Sequence, residues 1–454
     1  MLFLKKIFTP VSLVLSLFLL IYIFYRAEIY WQGLYADYYK KYYNISFCLI
    51  AISIISFFIN KKIKEYLIIT LISLIVGLYI LEGFLTFYKH TKIEKFTKYK
   101  VIKDQNLNNQ KYKIYKKETG KEYDRRNLLE AFKDLKKINN KATLFISPSH
   151  DLSNKKDLLN LGGISDSETI HCNENGYYSI YKSDRYGFNN PNSEWDKEII
   201  EYLLVGDSFT HGACVNRNDD ITSVLRALSS KSAINLGSSG NGPLLQYAAL
   251  REYLKPNVKK VIWLYYEGNG QFDLLNENSN YLLKNYLSDL TFTQNLQFRQ
   301  KEIDDLLNLY IKIELNKSQN QKNTPSLTNH VLQFIKIYNL RNFFFSTKTR
   351  TPPSLQEFKK IIELTKDLVN KNNSKLYFVY LPEYNRYKND YNDFSYIEVK
   401  KIINELNITL IDIHENVIKK EEDPLKIFPF AAFGHYNVMG YKKIAENIYN
   451  ITKD

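Results

Sequence analysis

Four short glycine-containing segments carry residues whose types and spacing suit acyl chemistry. They read GDSF (206–209), NLGSSGNG (235–242), EGNG (267–270) and GHYN (434–437). A serine hydroxyl becomes a nucleophile when a base within hydrogen-bond reach removes its proton, and the tetrahedral intermediate then needs fixed hydrogen-bond donors. The segments contain a serine, a histidine, glycine amides and an asparagine amide. Together they favour nucleophilic chemistry at a serine.

The first segment follows the apolar run EYLLV (201–205), which is typical of a buried strand. Gly206 tolerates the tight turn that ends the strand, and Asp207 is a good cap for a following helix. Ser208 would then lie at a helix N-terminus, where backbone N–H groups favour a developing oxyanion. This segment alone leaves a second reading open, in which Asp207 and Ser208 only cap the helix.

The other segments also adjoin predicted elements of regular structure. Gly240 comes after the run AINL, Asn269 comes after VIWLYY, and His435 precedes an amphipathic helical pattern. Ligands of open α/β sheets bind beyond the carboxyl ends of the strands. Residues that follow successive strands are therefore expected to meet at one edge of the sheet.

Short apolar runs alternate with helical patterns along the later part of the chain. The predicted strands are TLFIS (143–147), EYLLV (201–205), AINL (233–236), VIWLYY (261–266), KLYFVYL (375–381) and ITLIDI (408–413). Helical patterns separate most of them, at 219–229, 243–254, 356–371, 395–405 and 438–450. This alternation is typical of a parallel sheet that helices cover on both faces.

The four segments, in this order, resemble the sequence blocks of the SGNH (GDSL-type) hydrolase superfamily. The resemblance covers residues 199–451, and the preceding SDRYGFNNP resembles the lead-in of membrane-anchored bacterial members. It implies an α/β fold of the flavodoxin-like kind, a three-layer α/β/α sandwich with a parallel sheet. By the same resemblance Ser208 matches the nucleophile and His435 the general base. The oxyanion hole would be formed by the amides of Ser208 and Gly240 and the side chain of Asn269.

Two positions depart from the pattern of that superfamily. The family usually carries an aspartate three residues before the histidine, where this chain has Ala432. Asp412, at the end of a predicted strand, is our candidate for the acid that orients His435, since such an acid is recognised by geometry and not by position. In the third block Gly270 stands where an aspartate is usual, and Asp273 is expected to take over its structural role.

His211 is a second candidate base, because it lies three residues after Ser208 on the same predicted helix. A base has to approach the serine oxygen from across the site, and His435 has the family context, so His435 is preferred. The remaining histidines show no spacing typical of metal ligands; they are His90, His150, His171, His330 and His414. No metal and no cofactor are predicted.

Three uncharged or nearly uncharged stretches near the N-terminus predict membrane-spanning helices, at about 8–25, 42–60 and 66–88. A cleaved signal peptide is the alternative for the first stretch, but no small-residue cleavage site follows it. Lysines before the first span and between the second and third place those ends in the cytoplasm by the positive-inside rule. Glu82, inside the third span, is a modest hint of function, although a place at the membrane interface is the preferred reading.

These spans divide the chain into three predicted regions. Residues 1–90 form the membrane domain, 91–140 a juxtamembrane stem, and 141–454 an SGNH-like domain outside the cytoplasm. A largely helical section at about 272–347 interrupts the alternation of strands and helices. It is either a lid or substrate-binding subregion or a flexible surface excursion.

Cysteine usage leaves one candidate disulfide. Cys48 lies inside the second span, so Cys172 and Cys214 are the only pair in the outer domain. In an oxidising compartment two such thiols can bond to each other, although the sequence does not give the distance between them. A disulfide and two free thiols both remain open at this point.

The net charge of +14 invites a nucleic-acid function, but the lysines are spread along the chain and no recognised nucleic-acid motif collects them. No nucleic-acid partner is therefore predicted. A solvated lysine-rich surface explains the charge, and contact with anionic lipid or acidic glycans stays open.

The resemblance and the spans together predict a serine esterase or O-acyltransferase, anchored by several spans in a bacterial cytoplasmic (inner) membrane. Its N-terminus would be cytoplasmic, its catalytic domain periplasmic, and its substrate an acylated envelope glycan or a small ester. A transferase would need a separate membrane acyltransferase as partner, because the three spans contain no histidine. The alternatives are a catalytically impaired binding or assembly protein of the envelope and a lipid-directed esterase.

Overall fold

The fold is described from a computed structural model of the chain. It describes residues 2–30, 36–152, 155, 157–268, 270–320, 327–345, 355–388 and 391–453. The helices are α1 (Leu2–Phe24), α2 (Ala36–Phe58), α3 (Lys61–Thr119), α4 (Leu128–Ile138), α5 (Ser208–His211), α6 (Ile221–Ser229), α7 (Pro243–Tyr253), α8 (Gly270–Glu277), α9 (Tyr281–Ser288), α10 (Gln300–Asn320), α11 (Leu327–Ile335), α12 (Tyr338–Phe345), α13 (Leu355–Lys371), α14 (Phe394–Glu405), α15 (Ile413–Asn416) and α16 (Val438–Thr452). The strands are β1 (Ala142–Leu144), β2 (Glu168–Ile170), β3 (Ile180–Lys182), β4 (Ile200–Val205), β5 (Ala233–Asn235), β6 (Val258–Tyr266), β7 (Lys375–Leu381) and β8 (Thr409–Asp412).

The chain divides into two compact units. The first contains α1, α2, the part of α3 up to Asn106, and the pair α11–α12. The second, here called the catalytic unit, contains the described residues from Leu107 onward except that helix pair. The helical section that was predicted as one insertion is thus shared between two units.

Three helices of the first unit are long and apolar enough to cross a membrane: Ile7–Ile29, Tyr38–Phe58 and Lys61–Tyr88. Each agrees with a predicted span to within a few residues. The third continues without a break to Thr119, so most of the segment predicted as a stem is an extension of the same helix. The stem region then ends with α4, which a capping box at Asn127 and Glu130 initiates.

The centre of the catalytic unit is a five-stranded sheet with all neighbouring strands parallel, in the order β5-β4-β6-β7-β8. Numbered within this sheet the order is 2-1-3-4-5, which is that of flavodoxin-like folds. Five of the predicted strands form it. The sixth, TLFIS, supplies β1, which belongs instead to a small three-stranded sheet with β2 and β3.

Alternate residues of each central strand pack on opposite faces of the sheet. In β6, Trp263 lies in the core that α7, α13 and α14 share, whereas Leu264 lies in the core that α6 and α16 share. Both faces are buried, which explains why these strands read as continuous apolar runs. The result is the three-layer α/β/α sandwich that the resemblance implies.

Helices α8, α9 and α10 complete the first of those two cores. Leu283, Tyr286, Ile303 and Leu307 are fully buried in it. This part of the helical section is therefore an integral layer of the catalytic unit and not a flexible excursion.

Candidate active site

Ser208 follows the carboxyl end of β4, an interior strand of the five-stranded sheet. The Asp207 carboxylate caps α5 by accepting a hydrogen bond of 3.0 Å from the backbone N–H of Phe209. Ser208 is the first residue of that helix and is 8% exposed. Its backbone N–H therefore belongs to the group of first-turn amides that have no partner inside the helix. Burial raises the pKa of Asp207 to about 7.

His435 is held by its neighbours in the GHYN segment. The Tyr436 hydroxyl is buried and donates a hydrogen bond of 2.6 Å to the carbonyl of Pro382. The Asn437 side chain caps α16 by accepting from the N–H of Gly440 at 2.9 Å. With both flanks fixed, the imidazole of His435 packs against the ring of Phe209, with 4.8 Å between the ring centroids.

The structure brings Ser208 and His435 together. Nε2 of His435 lies 2.8 Å from Oγ of Ser208, although 227 residues separate them along the chain. This distance is within the range in which a base can take the serine proton. The two residues that the sequence blocks single out thus form a nucleophile–base pair in geometry.

The carboxylate of Glu174 contacts the other nitrogen of His435, Nδ1. Its Oε1 lies 3.1 Å from Nδ1, and its Oε2 accepts a hydrogen bond of 2.6 Å from the His435 backbone N–H. A carboxylate only accepts, so Nδ1 carries the proton and Nε2 is free to accept from the Ser208 hydroxyl. Burial opposes ionisation of Glu174, but the hydrogen bonds and charge of His435 outweigh it and hold the pKa below its ordinary value.

Glu174 reaches His435 from the loop between β2 and β3. A disulfide joins Cys172, two residues before it, to Cys214, six residues after Ser208. On the other side the Asn175 side chain donates a hydrogen bond of 2.9 Å to the Cys214 carbonyl. The loop of the small sheet is therefore fastened to the segment that follows the nucleophile, and this fastening positions the carboxylate.

Gly434 permits the close approach of Glu174. A Cβ at this position would lie 2.6 Å from Oε2 of Glu174, closer than real Cβ contacts. The glycine of the GHYN segment is therefore needed for the carboxylate to reach the backbone N–H of His435.

The loop after β5 carries Gly240 in a backbone conformation that favours glycine, with φ of 82°. A Cβ there would lie 2.5 Å from the Ser149 hydroxyl and 2.8 Å from that of Ser147. Ser147 also donates a hydrogen bond to the carbonyl of Ser239. The two serines follow β1, so the small sheet supports this loop as well as the one that carries Glu174.

The third block is described only in part. Asn269, the expected side-chain donor of the oxyanion hole, lies outside the described residues. Asp273, expected to replace the aspartate of that block, sits in α8 beside Gly242, and burial raises its pKa to about 6. Its Oδ2 has no hydrogen-bond partner among the residues that the structure describes.

Asp412, which we expected to orient His435, is not the acid that contacts it. Its carboxylate accepts hydrogen bonds from Tyr396 at 2.6 Å and Lys400 at 2.7 Å, and it caps α15 through the N–H of Glu415. All three partners belong to the β8 edge of the sheet. The prediction placed the acid on a main-sheet strand, whereas the structure brings it from the small sheet.

His211 does not contact Ser208 within the described part of the chain. Its Nδ1 lies 3.4 Å from the carbonyl of Gly237, and its ring packs against those of Phe145, His171 and Tyr181. Burial lowers its pKa to about 4, so the ring is neutral at neutral pH. It is part of the packing beneath the Gly240 loop.

Three potential metal-ligand atoms lie within 4.8 Å of one another, from Glu174, Cys214 and His435. The Cys214 sulfur is bonded to Cys172, and a disulfide sulfur is not a thiolate. The Glu174 carboxylate and the His435 imidazole already form a hydrogen bond with each other. The hydrogen-bonded serine centre accounts for this group of residues without an ion.

The SDRYGFNNP lead-in supports the same edge of the sheet. The Asn190 side chain donates hydrogen bonds of 2.9 Å to the Asn235 carbonyl and to the Asp184 carboxylate. The Asp184 carboxylate also accepts a hydrogen bond of 2.7 Å from the indole N–H of Trp195. This buried network holds the end of β5, from which the Gly240 loop departs.

Sequence reasoning did not find Glu174, Ser147 or Ser149. A signal for Glu174 was present, because it lies in HCNENG two residues after one of the paired cysteines. A bond from Cys172 to Cys214 brings that hexapeptide to the nucleophile. The two serines carry no comparable signal, because a serine after a short strand is a common turn residue.

The chain matches no protein-family model and no curated protein. Among solved structures it is similar to a protein from Desulfitobacterium hafniense DCB-2 named as lipolytic and of the G-D-S-L family, at 16% identity and a TM-score of 0.32, over 55% of this chain and 98% of that one. It is also similar to the acetyl xylan esterase AlAXEase, at 13% identity and a TM-score of 0.31, over 56% and 99%.

The fold is assigned from the chain itself. Five parallel strands lie in the flavodoxin-like order, helices cover both faces, and the first and fourth blocks meet at the carboxyl ends of the strands. The strand order is that of flavodoxin-like folds, and the serine–histidine pair lies at the carboxyl ends of its strands.

Proposed function

We propose that the protein is a membrane-anchored serine ester hydrolase with Ser208 as nucleophile, His435 as general base and Glu174 as the orienting acid. The observation that carries this proposal is the continuous hydrogen-bond chain, 2.8 Å from Ser208 to His435 and 3.1 Å from His435 to Glu174. Nucleophile, base and orienting acid within hydrogen-bond reach are the signature of an activated serine.

The proposed reaction has two halves. As Oγ of Ser208 bonds to the acyl carbon, Nε2 of His435 takes its proton, and the carbonyl oxygen becomes an oxyanion that the amides of Ser208 and Gly240 stabilise. The intermediate then collapses, and the alcohol leaves with the proton from Nε2. Water attacks the acyl-enzyme in the same way, its proton passing through His435, and the carboxylic acid is released as Ser208 regains its proton.

A polar cavity of about 350 Å³ beside Gly240 supports a substrate that carries hydroxyl groups. It is lined by Ser149, Asp273, Asn276, Glu277 and Ser279 together with Leu152 and Gly240. Carboxyl and hydroxyl groups there can exchange hydrogen bonds with sugar hydroxyls. We therefore propose an acylated glycan in preference to a long-chain lipid, which would favour an apolar lining.

The disulfide supports a place outside the cytoplasm for the catalytic unit. Bonds such as Cys172–Cys214 form and persist in oxidising compartments and are rare in the cytosol. With the lysines at the ends of the spans, this favours a cytoplasmic N-terminus in an inner membrane and a periplasmic catalytic unit. Transfer of the acyl group to a glycan hydroxyl instead of water is the variant reaction, and it would require an acyl donor from a membrane acyltransferase.

Ala432 and Gly270 motivate the alternative of a catalytically impaired binding protein. In the structure Glu174 occupies the position of the missing acid, which favours the enzyme over the binding protein. A fluorophosphonate probe separates the two, because it reacts covalently only with an activated serine. Labelling that Ser208→Ala abolishes supports the enzyme, whereas a full-length protein that stays unlabelled overturns it.

Activity is tested on the full chain in detergent, with p-nitrophenyl acetate and then an acetylated polysaccharide. Acetate release that depends on Ser208 supports the hydrolase. Mass spectrometry of an added glycan acceptor distinguishes transfer from hydrolysis. A Ser208-dependent rate on the small ester with none on any glycan would leave the esterase standing and overturn the glycan substrate.

A further inference from the structure

In the sequence, helices α11 and α12 lie between α10 and α13, which are part of the catalytic unit. In the structure they belong to the compact unit that contains the membrane helices. The pair is therefore an element of the membrane unit that the catalytic part of the sequence supplies.

The attachment centres on Glu82 of the third span. Its carboxylate is completely buried and accepts hydrogen bonds from the backbone N–H groups of Asn339 at 3.0 Å and Leu340 at 2.7 Å. The Asn339 side chain donates a third, at 3.1 Å. Asn339 and Leu340 lie in the first turn of α12, where unpaired amides and the helix dipole favour a negative charge.

Neighbours of Glu82 on the same face of α3 extend the contact. The Tyr79 hydroxyl donates a hydrogen bond of 2.9 Å to the carbonyl of Ile335, and its ring lies 5.6 Å from that of Phe334. Thr86 accepts from the Asn339 side chain at 3.0 Å. Positions 79, 82 and 86 lie on one helix face, so a continuous strip of the third span receives the end of α11 and the start of α12.

Helix α11 also presents exposed apolar side chains. Val331, Leu332 and Ile335 are 50%, 49% and 55% exposed. The third span, to which the pair is attached, also carries exposed apolar side chains, and Ile80 and Phe84 are 69% and 61% exposed. Because lipid is the expected neighbour of the span, a helix bonded to the span that exposes apolar side chains is expected to have the same neighbour.

The length and place of α11 restrict how it meets the bilayer. Nine residues of helix extend about 14 Å, well short of the roughly 30 Å of a bilayer core. Glu82 lies six residues before Tyr88, the last residue of the span. The pair thus meets the span near the end from which the chain continues toward the catalytic unit.

We propose that α11–α12 is a membrane-interface element, with the face of Val331 and Ile335 in contact with lipid and with Glu82 as its anchor on the third span. An interfacial helix lies in the bilayer plane with its apolar side toward the acyl chains. A carboxylate within a span is costly unless it is paired, and the amides of α12 satisfy this one. The chain is then attached to the membrane by the spans and again by this pair. The proposal does not depend on esterase activity.

The first test measures lipid contact on the full chain in phosphatidylcholine vesicles. In a Cys48→Ser background, which leaves only the disulfide cysteines, single cysteines at Val331, Gln333 or Lys401 carry an environment-sensitive NBD fluorophore. Gln333 is the matched control two residues along the same helix, on its opposite side, and Lys401 is an exposed position in the catalytic unit.

Doxyl-labelled lipids quench only a fluorophore that contacts the bilayer. We expect emission at Val331 to be blue-shifted and quenched at least about threefold more than at Gln333, with none at Lys401. No quenching at Val331 overturns the proposal. Blue-shifted emission without lipid quenching also overturns it, because a second protein copy would then cover the face.

The second test breaks the anchor. Trypsin can cut after Lys336, which precedes α12, and after Arg341, which lies within it. Glu82→Ala should raise the initial rate of cleavage there by about tenfold in vesicles, because protease cuts the locally opened form. Glu82→Gln, which keeps one acceptor oxygen, should have a smaller effect, and Glu65→Ala at the other end of the span none. Unchanged cleavage in Glu82→Ala, with helix content preserved by circular dichroism, overturns the anchor.

Discussion

Glu174 and Glu277 are two carboxyl groups near the proposed active site whose surroundings shift their pKa values in opposite directions. Glu174 meets the imidazole and the backbone N–H of His435, which hold its pKa below the ordinary value despite burial. Glu277 is 1% exposed and meets the N–H of Leu244, and burial raises its pKa to about 8. Neighbouring environments that separate two carboxyl groups in this way assign them different tasks.

The difference follows from what faces each group. Glu174 lies in a loop that a disulfide holds beside His435. The hydrogen bonds from His435 stabilise the ionised carboxylate. Glu277 receives backbone amides but has no cationic partner among the described residues, so it holds its proton near neutral pH. In the proposed mechanism Glu174 orients the base for proton transfer, whereas Glu277 lines the cavity.

The largest effect is expected from removal of the proposed nucleophile, Ser208, which belongs to the same hydrogen-bond chain as Glu174. Ser208→Ala should lower kcat for p-nitrophenyl acetate by about 10,000-fold, because the remaining donors cannot replace the acyl-enzyme route. Stopped-flow and steady-state kinetics on the purified full chain measure this. A variant that keeps the wild-type rate would remove Ser208 from the reaction.

Glu174→Gln is the sharpest test of the acid. An amide can present N–H to Nδ1 and so favour the tautomer in which Nε2 carries the proton and cannot accept that of Ser208. We expect a fall in kcat of about 1,000-fold, with little change in KM. Asp412→Asn is the matched control, and we expect its kcat to stay within about threefold of wild type. A larger loss in Asp412→Asn than in Glu174→Gln would reverse the assignment.

Gly434→Ala probes the approach of Glu174 to His435 without changing either residue. The new methyl would lie 2.6 Å from Oε2, so the carboxylate must move. Because small displacements of a catalytic contact are costly, kcat should fall by about 100-fold. Gly77→Ala is the control, since a Cβ there meets no atom within 4 Å. Equal rates in the two variants would contradict the proposed contact.

Loss of the disulfide should loosen the Glu174 loop and leave the pair Ser208–His435 in place. In Cys172→Ser with Cys214→Ser we expect about a tenfold lower kcat, and about 2–4 kcal/mol lower stability of the catalytic unit. Cys48→Ser is the control for thiol removal. If reduction by dithiothreitol leaves both kcat and Tm of the wild type unchanged, the bond does not position the acid.

The last expected effect is on stability and not on rate, and it concerns Glu277. Between pH 4.5, the ordinary value, and about 8, the folded state keeps a proton that the unfolded state has released. Stability therefore falls as pH rises through this window, by at most about 1.4 kcal/mol per pH unit for one proton. Glu277→Gln should flatten that slope in thermal unfolding at pH 5, 6 and 7. An unchanged slope would mean that Glu277 is ionised in the fold.

Much of the sheet was predictable because its signals are local. Runs such as VIWLYY are apolar at every position, which is what a strand buried on both faces requires. The small sheet was not predicted beyond β1, because β2 and β3 are three residues each and show no periodicity that could be recognised. The continuous helix through Thr119 was also missed, since its polar part has no apolar stripe.

The sequence by itself predicted the spans and the parallel sheet from apolar runs, and its resemblance to a known family singled out Ser208 and His435, which lie 2.8 Å apart in the structure. Only the tertiary structure decided that Glu174 and not Asp412 meets His435, since that contact joins residues 261 positions apart. It likewise decided that α12 meets Glu82, 258 positions from Leu340. Such contacts depend on how loops and helices that are distant in the sequence pack together. No short segment of the sequence specifies this packing.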